Sequence, residues 1–178
     1  RRTPPWMPLR GITIFPFMVL HFDVGREKSI VSLDEAMLKN QEIFLVPQKD
    51  SKVENPTKDD LMTIGTVCVI RQLLKLPGNT VRVLVEGISR GRIISVKEEP
   101  SFKGTVEVLE DEAKDPIDVE EEALVRSVKE ALQAYVRHTG YMPQEALVSL
   151  EDIEEPGRFS DTVASYLMLK PEDKQSLL

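Results

Sequence analysis

One cysteine, two histidines and one tryptophan stand among 178 residues, and each scarcity removes a class of chemistry. Cys68 has no internal disulfide partner, which suits a reducing cytoplasm or mitochondrial matrix. His21 and His138, with a single cysteine, supply too few ligands for a structural zinc site, so no metal is expected. No apolar run approaches the roughly 18 residues of a membrane span, and no signal-peptide pattern opens the chain, so no membrane contact is expected. Lys and Arg number 23 against 30 Asp and Glu, a net charge of −7, and aromatics are only 6%. That balance argues against nucleic acid, whose non-specific affinity comes from basic clusters and base stacking. There is no Gly-x-Gly, no phosphate-cradling Gly-x-x-x-x-Gly-Lys-Ser/Thr loop and no Ser-x-x-Lys spacing.

What is present is ordinary globular content, 41% hydrophobic and 30% charged, enough for one well-packed domain or two small ones. The first hundred or so residues favour strands. Residues 10–15 form a short apolar run closed by Pro16. Val19–Val24 sets Leu20, Phe22 and Val24 against His21 and Asp23, the period of a half-buried strand. After Gly25, Glu27–Leu38 carries Ile30, Leu33 and Met37 at helical spacing. Residues 43–46 make a compact buried strand, and Thr57 caps a short helix expected to run to Met62. Residues 66–76 and 81–87 flank Pro77-Gly78-Asn79-Thr80, where Gly at the first central position predicts a type II′ turn. Residues 88–97 and 102–110 extend the sheet.

A polar, acidic stretch ending at Pro116 marks a boundary: a β-rich domain over 1–112, a linker over 113–117 and a helical subdomain over 118–178. The fold class expected is therefore α+β. In the helical part Asp118 and Glu121 resemble a capping box. Leu124, Val128, Ala131 and Tyr135 read as the buried stripe of a helix stopped by Gly140. Residues 143–150 make a shorter helix, and Pro156 opens another with Phe159, Val163 and Leu167 on one side. Arg1 in the place of a Met, and residues 171–178 reading as a helix barely begun, are expected of a piece of a longer polypeptide.

One motif invites a catalytic reading. Gly87-Ile88-Ser89-Arg90-Gly91 matches the G-x-S-x-G nucleophile elbow, which requires a sharp strand-to-helix turn. Here it joins two strand-like runs, and the two glycines are better read as a bend or bulge. The run Glu120-Glu121-Glu122 reads as dipole-matched charge in a first helical turn rather than as a cation site. No catalytic residue is assigned.

Three stretches in register resemble the N-terminal region of Lon proteases. The first is Pro8-Leu9-Arg10-Gly11 through Phe15-Pro16 to Val24-Gly25-Arg26-Glu27-Lys28-Ser29. The second is Gly65-Thr66-Val67, then Gln72-Leu73-Leu74-Lys75-Leu76-Pro77, then Val83-Leu84-Val85-Glu86-Gly87 with Arg90. The third is Asp152-Ile153-Glu154-Glu155-Pro156-Gly157-Arg158, followed by Asp161-Thr162 and Asp173-Lys174-Gln175. Trp6-Met7 and Gly78-Asn79 depart from the family's usual pairs. The resemblance implies a PUA-like β-pseudobarrel with one or two short helices, followed by the first helices of a bundle. It implies a non-catalytic part of an ATP-dependent Ser-Lys endopeptidase that recognises unfolded, misfolded or degron-tagged proteins and supports homohexamer assembly. ATP and Mg would then belong to the parent protein, with no cofactor in this part. The alternative is a PUA-like module for RNA or a small ligand.

Holding unfolded clients calls for a modest exposed apolar patch with charge at its rim. With a two-residue hairpin turn, Val81, Val83 and Val85 share one face and Arg82, Leu84 and Glu86 the other. The same turn sets Leu73 opposite Leu84 and Arg71 opposite Glu86. Phe17 and Met18 lie in a proline-broken apolar loop. Leu84, Leu73, Phe17 and Met18 are thus the candidate substrate-binding residues. Arg26, Glu27 and Lys28 are candidates for a rim or inter-subunit contact.

Overall fold

Strand β5, Thr80–Lys97, organises the first of two compact units in the computed structural model, which describes residues 1–98, 100–110 and 118–178. The front half of β5 lies antiparallel between β4 (Ile64–Leu76) and β2 (Val19–Val24). Its rear half pairs with the start of β4 and with β6 (Lys103–Leu109). Beyond β4 the sheet continues to β3 (Glu42–Pro47) and then to β1 (Trp6–Leu9), the last pair being parallel. The ring closes where Arg2 and Val106 exchange backbone hydrogen bonds of 2.8 Å and Trp6 N–H donates to the Phe102 carbonyl at 3.1 Å. Strands β1, β3, β4, β5 and β6 thus form a barrel, and β2 hangs from β5 as a terminal strand.

Because side chains alternate along a strand, the two faces of this sheet bury separate cores. Trp6, Phe44, Val67 and Val106 lie within the ring, the first two edge to face with centroids 5.1 Å apart. Ile43, Leu45, Ile70, Val83 and Val85 bury the opposite face, where Leu33 and Ala36 of helix α1 (Glu27–Leu38) join them. Space inside the ring is tight: a Cβ on Gly91 would lie 2.4 Å from Val106 Cγ1 and 2.9 Å from Phe44 Cε2. The Gly87–Gly91 motif is therefore an internal part of one continuous strand. Glycine is needed there for close approach, and no helix follows the serine.

The other unit, Asp111–Met168, holds α2 (Val119–Thr139), α3 (Gln144–Glu151) and α4 (Pro156–Tyr166). Asp118 caps α2 by accepting from Glu121 N–H at 2.8 Å, a contact worth about 1 kcal/mol, and Gly140 ends the helix at φ 65°. Leu132, Val136, Met142, Leu150 and Phe159 form its core. The expected stripe is on the wrong face: Leu124, Val128 and Tyr135 are exposed, and Val125, Leu132 and Val136 face inward. The two sets lie about 100° apart on the helix, close enough in apolarity for the wrong one to be chosen.

Helix α5, Pro171–Leu177, belongs to the first unit with residues 169–178. Arg90 donates to the backbone carbonyls of Leu177 and Leu178, and Gln175 Nε2 donates to Ile64 O at 3.2 Å. The linker expected over 113–117 lies outside the described residues.

Several local expectations are also corrected. Residues 10–15 form no strand; the strand falls at Trp6–Leu9, while Ile14 and Phe15 are buried in an irregular segment. The helix expected from Thr57 to Met62 is a single 3₁₀ turn, Lys58–Asp60, with Asp60 reaching back to Thr57 N–H at 2.7 Å. The hairpin is not type II′: Gly78 and Asn79 both have positive φ, 79° and 56°, and Leu76 pairs with Thr80 across a three-residue loop.

Candidate functional site

That extra loop residue resets the outer face of the sheet. Leu73 stands opposite Val83 and packs against the core, so it leaves the candidate surface. Gln72 stands opposite Leu84, and Leu74, which the sequence reading passed over, stands 52% exposed opposite Arg82. On the other side of β5, His21 pairs with Leu84, Asp23 with Arg82 and Val19 with Glu86. The alternation expected along β5 holds, with Val81, Val83 and Val85 buried and Arg82, Leu84 and Glu86 outward.

The result is a shallow hollow of about 200 Å³ lined by His21, Gln72, Leu74, Arg82 and Leu84. Val19, 58% exposed, extends the apolar surface along β2. Two ion pairs flank it. Arg82 binds Asp23 with both Nε and Nη2, at 2.7 and 3.0 Å, and that pair holds the Asp23 carboxyl below its usual range. Arg71 occupies a bulge between Ile70 and Gln72, yet its Nε still reaches Glu86 at 2.7 Å, so the expected pair forms without direct opposition.

Phe17 is 44% exposed at φ 67°, and its N–H donates to Gly87 O at 2.8 Å. Met18 accepts at its carbonyl from Gly87 N–H at 2.9 Å and turns its half-buried side chain into the core. Of this pair, Phe17 has the more exposed side chain.

The three residues at the start of α1 part company. Arg26 is half-buried and its guanidinium ties three segments together, donating to Pro8 O at 2.6 Å, Gln48 Oε1 at 2.8 Å and Glu54 O at 3.4 Å. Burial and the nearby Arg10 lower its pKa, as expected for a cation held away from water. Glu27 and Lys28 are exposed. Both line a cleft of about 360 Å³ with Thr57 and Glu98, and Glu27 also borders a second of about 570 Å³ toward Lys75 and Thr80.

Nucleophilic chemistry finds little support in this geometry. Ser89 sits half-buried within β5, and the Cys68 thiol is buried, which pushes it well above its ordinary pKa and leaves it unreactive. Among the described residues no three His, Cys, Asp or Glu side chains converge to hold a metal, and no helix is long and apolar enough to cross a membrane. What the outer face can do is bury part of another chain's apolar side chains, at about 25 cal/mol per Å².

The model of the ATP-dependent protease La (LON) substrate-binding domain matches residues 3–178. A Lon protease of Clostridium acetobutylicum is 49% identical over 175 residues, covering 98% of this chain and 22% of the relative. Lon protease 1 of Bacillus subtilis is 42% identical over 180 residues, covering 100% of this chain and 23% of the relative. The chain thus spans about a fifth of the length of the curated relatives it matches. Among solved structures, the N-terminal domain of a Mycobacterium avium complex Lon protease superposes with a TM-score of 0.73 at 20% identity, over 99% of this chain and 89% of that one. A Lon N-terminal domain protein from Xanthomonas campestris gives 0.57 at 13%, over 94% and 99%. Both share its fold.

Proposed function

Since the chain belongs to the LON substrate-binding-domain family of ATP-dependent proteases, we propose that it captures unfolded, misfolded or degron-tagged polypeptides through the outer face of β2, β5 and β4. The observation that carries this is the hollow at Leu84 and Leu74, an apolar surface between two ion-paired arginines. Such a surface holds exposed apolar segments weakly and with little sequence preference. The ion pairs at its rim keep it soluble between clients.

In this reading the chain performs no bond-breaking step. Peptide hydrolysis by a Ser-Lys pair, ATP and Mg²⁺ belong to other parts of a cytoplasmic parent enzyme. Assembly as a homohexamer brings several copies of a weak surface to one client and raises its hold through effective concentration. Lys28 and Glu27 are the residues proposed for contact with clients or neighbouring subunits. Arg26 serves beneath them as a structural tie.

The RNA-binding alternative loses ground on charge. Of the sheet's basic residues, Arg82 and Arg71 are committed to Asp23 and Glu86, and Arg92 lies 3.8 Å from Glu107, which leaves each of these three less available to phosphate.

Leu84→Ser tests the proposal. Capture of reduced, carboxymethylated α-lactalbumin by the 178-residue chain should weaken severalfold while the melting temperature stays unchanged. Undiminished capture, or a collapse in stability, refutes the role of Leu84.

A further inference from the structure

β2 is the last strand of its sheet, and among the described residues nothing pairs with its far side. The direction of its backbone groups follows from one bond. Gly87 N–H donates to Met18 O at 2.9 Å while Gly87 O accepts from Phe17 N–H at 2.8 Å, so residues 17 and 18 face 87 as a bulge ahead of the regular ladder and the Met18 carbonyl points toward β5. Alternation then turns Leu20, Phe22 and Val24 toward β5. The N–H and C=O groups of Val19, His21 and Asp23 point away from the sheet.

Terminal strands are ordinarily blunted by lysine, proline or a bulge. Between Val19 and Val24 there is no lysine and no proline, and the β2–β5 register runs without a shift. Beside the edge, Leu20, Phe22 and Met18 are only partly buried at the margin of the core. A strand laid there would meet unfilled hydrogen-bonding groups and an uncovered apolar flank together.

We propose that β2 binds an extended client segment by strand addition, the segment lying antiparallel with alternate apolar side chains over Leu20 and Phe22. This rests on the reading of this sheet as a client surface and adds a backbone contact at its edge, with the client's apolar side chains on the face opposite Leu84. Main-chain pairing suits a sequence-tolerant receptor, because every residue except proline offers the same groups. A second copy of the chain fits worse. Two-fold pairing about His21 sets Val19 opposite Asp23 twice and His21 opposite itself, between molecules that each carry −7. A neutral or basic segment has neither conflict.

The register fixes a parity that an experiment can read. Directly opposed residues in a ladder share a face, so residues whose amides bond to Val19, His21 and Asp23 point their side chains outward with those three. The probe is an acetylated decapeptide alternating valine with lysine, its valines turned inward over Leu20 and Phe22. The lysine amides then donate to β2, and the valine amides face water.

N-methylation of the lysine amides should weaken binding to the native 178-residue chain by about tenfold or more, and methylation of the valine amides by no more than about twofold. In the ¹⁵N-labelled chain, saturating unmodified peptide should slow exchange of the Val19, His21 and Asp23 amides by about tenfold or more. Equal binding of the two methylated peptides, with the three amides unprotected, overturns strand addition. If α-lactalbumin is still captured and Leu84→Ser still weakens capture, the outer-face reading stands without it. Failure of both peptide and α-lactalbumin to bind sinks both. Protection of the three amides without peptide, rising with protein concentration, assigns the edge to a second copy and also overturns the proposal.

Discussion

Arg82 grips Asp23 with two nitrogens across the β5–β2 ladder, Nε on Oδ1 at 2.7 Å and Nη2 on Oδ2 at 3.0 Å. The bond to Arg82 is the main reason the Asp23 carboxyl titrates below the usual carboxylate range. A carboxyl whose folded pKa is depressed contributes stability above its unfolded value and loses it as pH falls through the folded one. Asp23→Asn should therefore lower the thermal midpoint slightly at neutral pH. The difference from wild type should shrink as the pH falls below the ordinary carboxylate range and vanish only once Asp23 is protonated in the folded chain. Paired melts across acid pH check this, and a difference that persists in acid contradicts it.

Leu73 and Leu84 should respond in opposite ways to serine. Leu73 packs on the core opposite Val83, so Leu73→Ser should destabilise by roughly 1–3 kcal/mol. Leu84→Ser should stay within about 0.5 kcal/mol of wild type. Urea titration of the two variants measures both.

Arg26 and Lys28, two residues apart, should also separate. Arg26→Ala strands the Pro8 carbonyl and the Gln48 side chain and should cost about 1.5–3 kcal/mol. Lys28→Glu should leave stability alone. If Lys28 contacts clients or neighbouring subunits, degradation by the intact enzyme should nevertheless fall, which a substrate-turnover assay reads.

Gly91→Ala places a methyl against Val106 and the Phe44 ring and should destabilise by about 1–3 kcal/mol. Ser89→Ala, two residues away in the same motif, should change neither stability nor client capture. Denaturant melts and the α-lactalbumin assay decide, and a fluorophosphonate probe should leave Ser89 unlabelled.

Much of this architecture is legible in residue order. Glu27–Leu38 is a helix because its apolar spacing and the Gly25 before it agree, and β2 follows its alternation residue by residue. The face of α2 was harder. Leu124 and Val128 are as apolar as Val125 and Leu132, and only the partners Met142 and Phe159 decide which set turns inward. The surface around Leu84 was half visible. Parity along β5 needs no knowledge of the hairpin loop, so Leu84 reads correctly as outward. The partner on β4 depends on the loop length, and one residue exchanges Leu73 for Gln72 while hiding Leu74. The clamp at Arg26 carried no signal at all, since Pro8, Gln48 and Glu54 are brought together only by the finished barrel.

The seam between Arg2 and Val106 also has a history in time. During synthesis the front of the chain must wait more than a hundred residues for the strand that fastens it, and α5 arrives later still. Until β6 leaves the ribosome, Trp6 and Phe44 lack the Val106 side chain that shares their core in the finished barrel. Such distant pairing is slow to find. A protein proposed to receive unfolded chains therefore passes through a stage at which it would itself qualify as one.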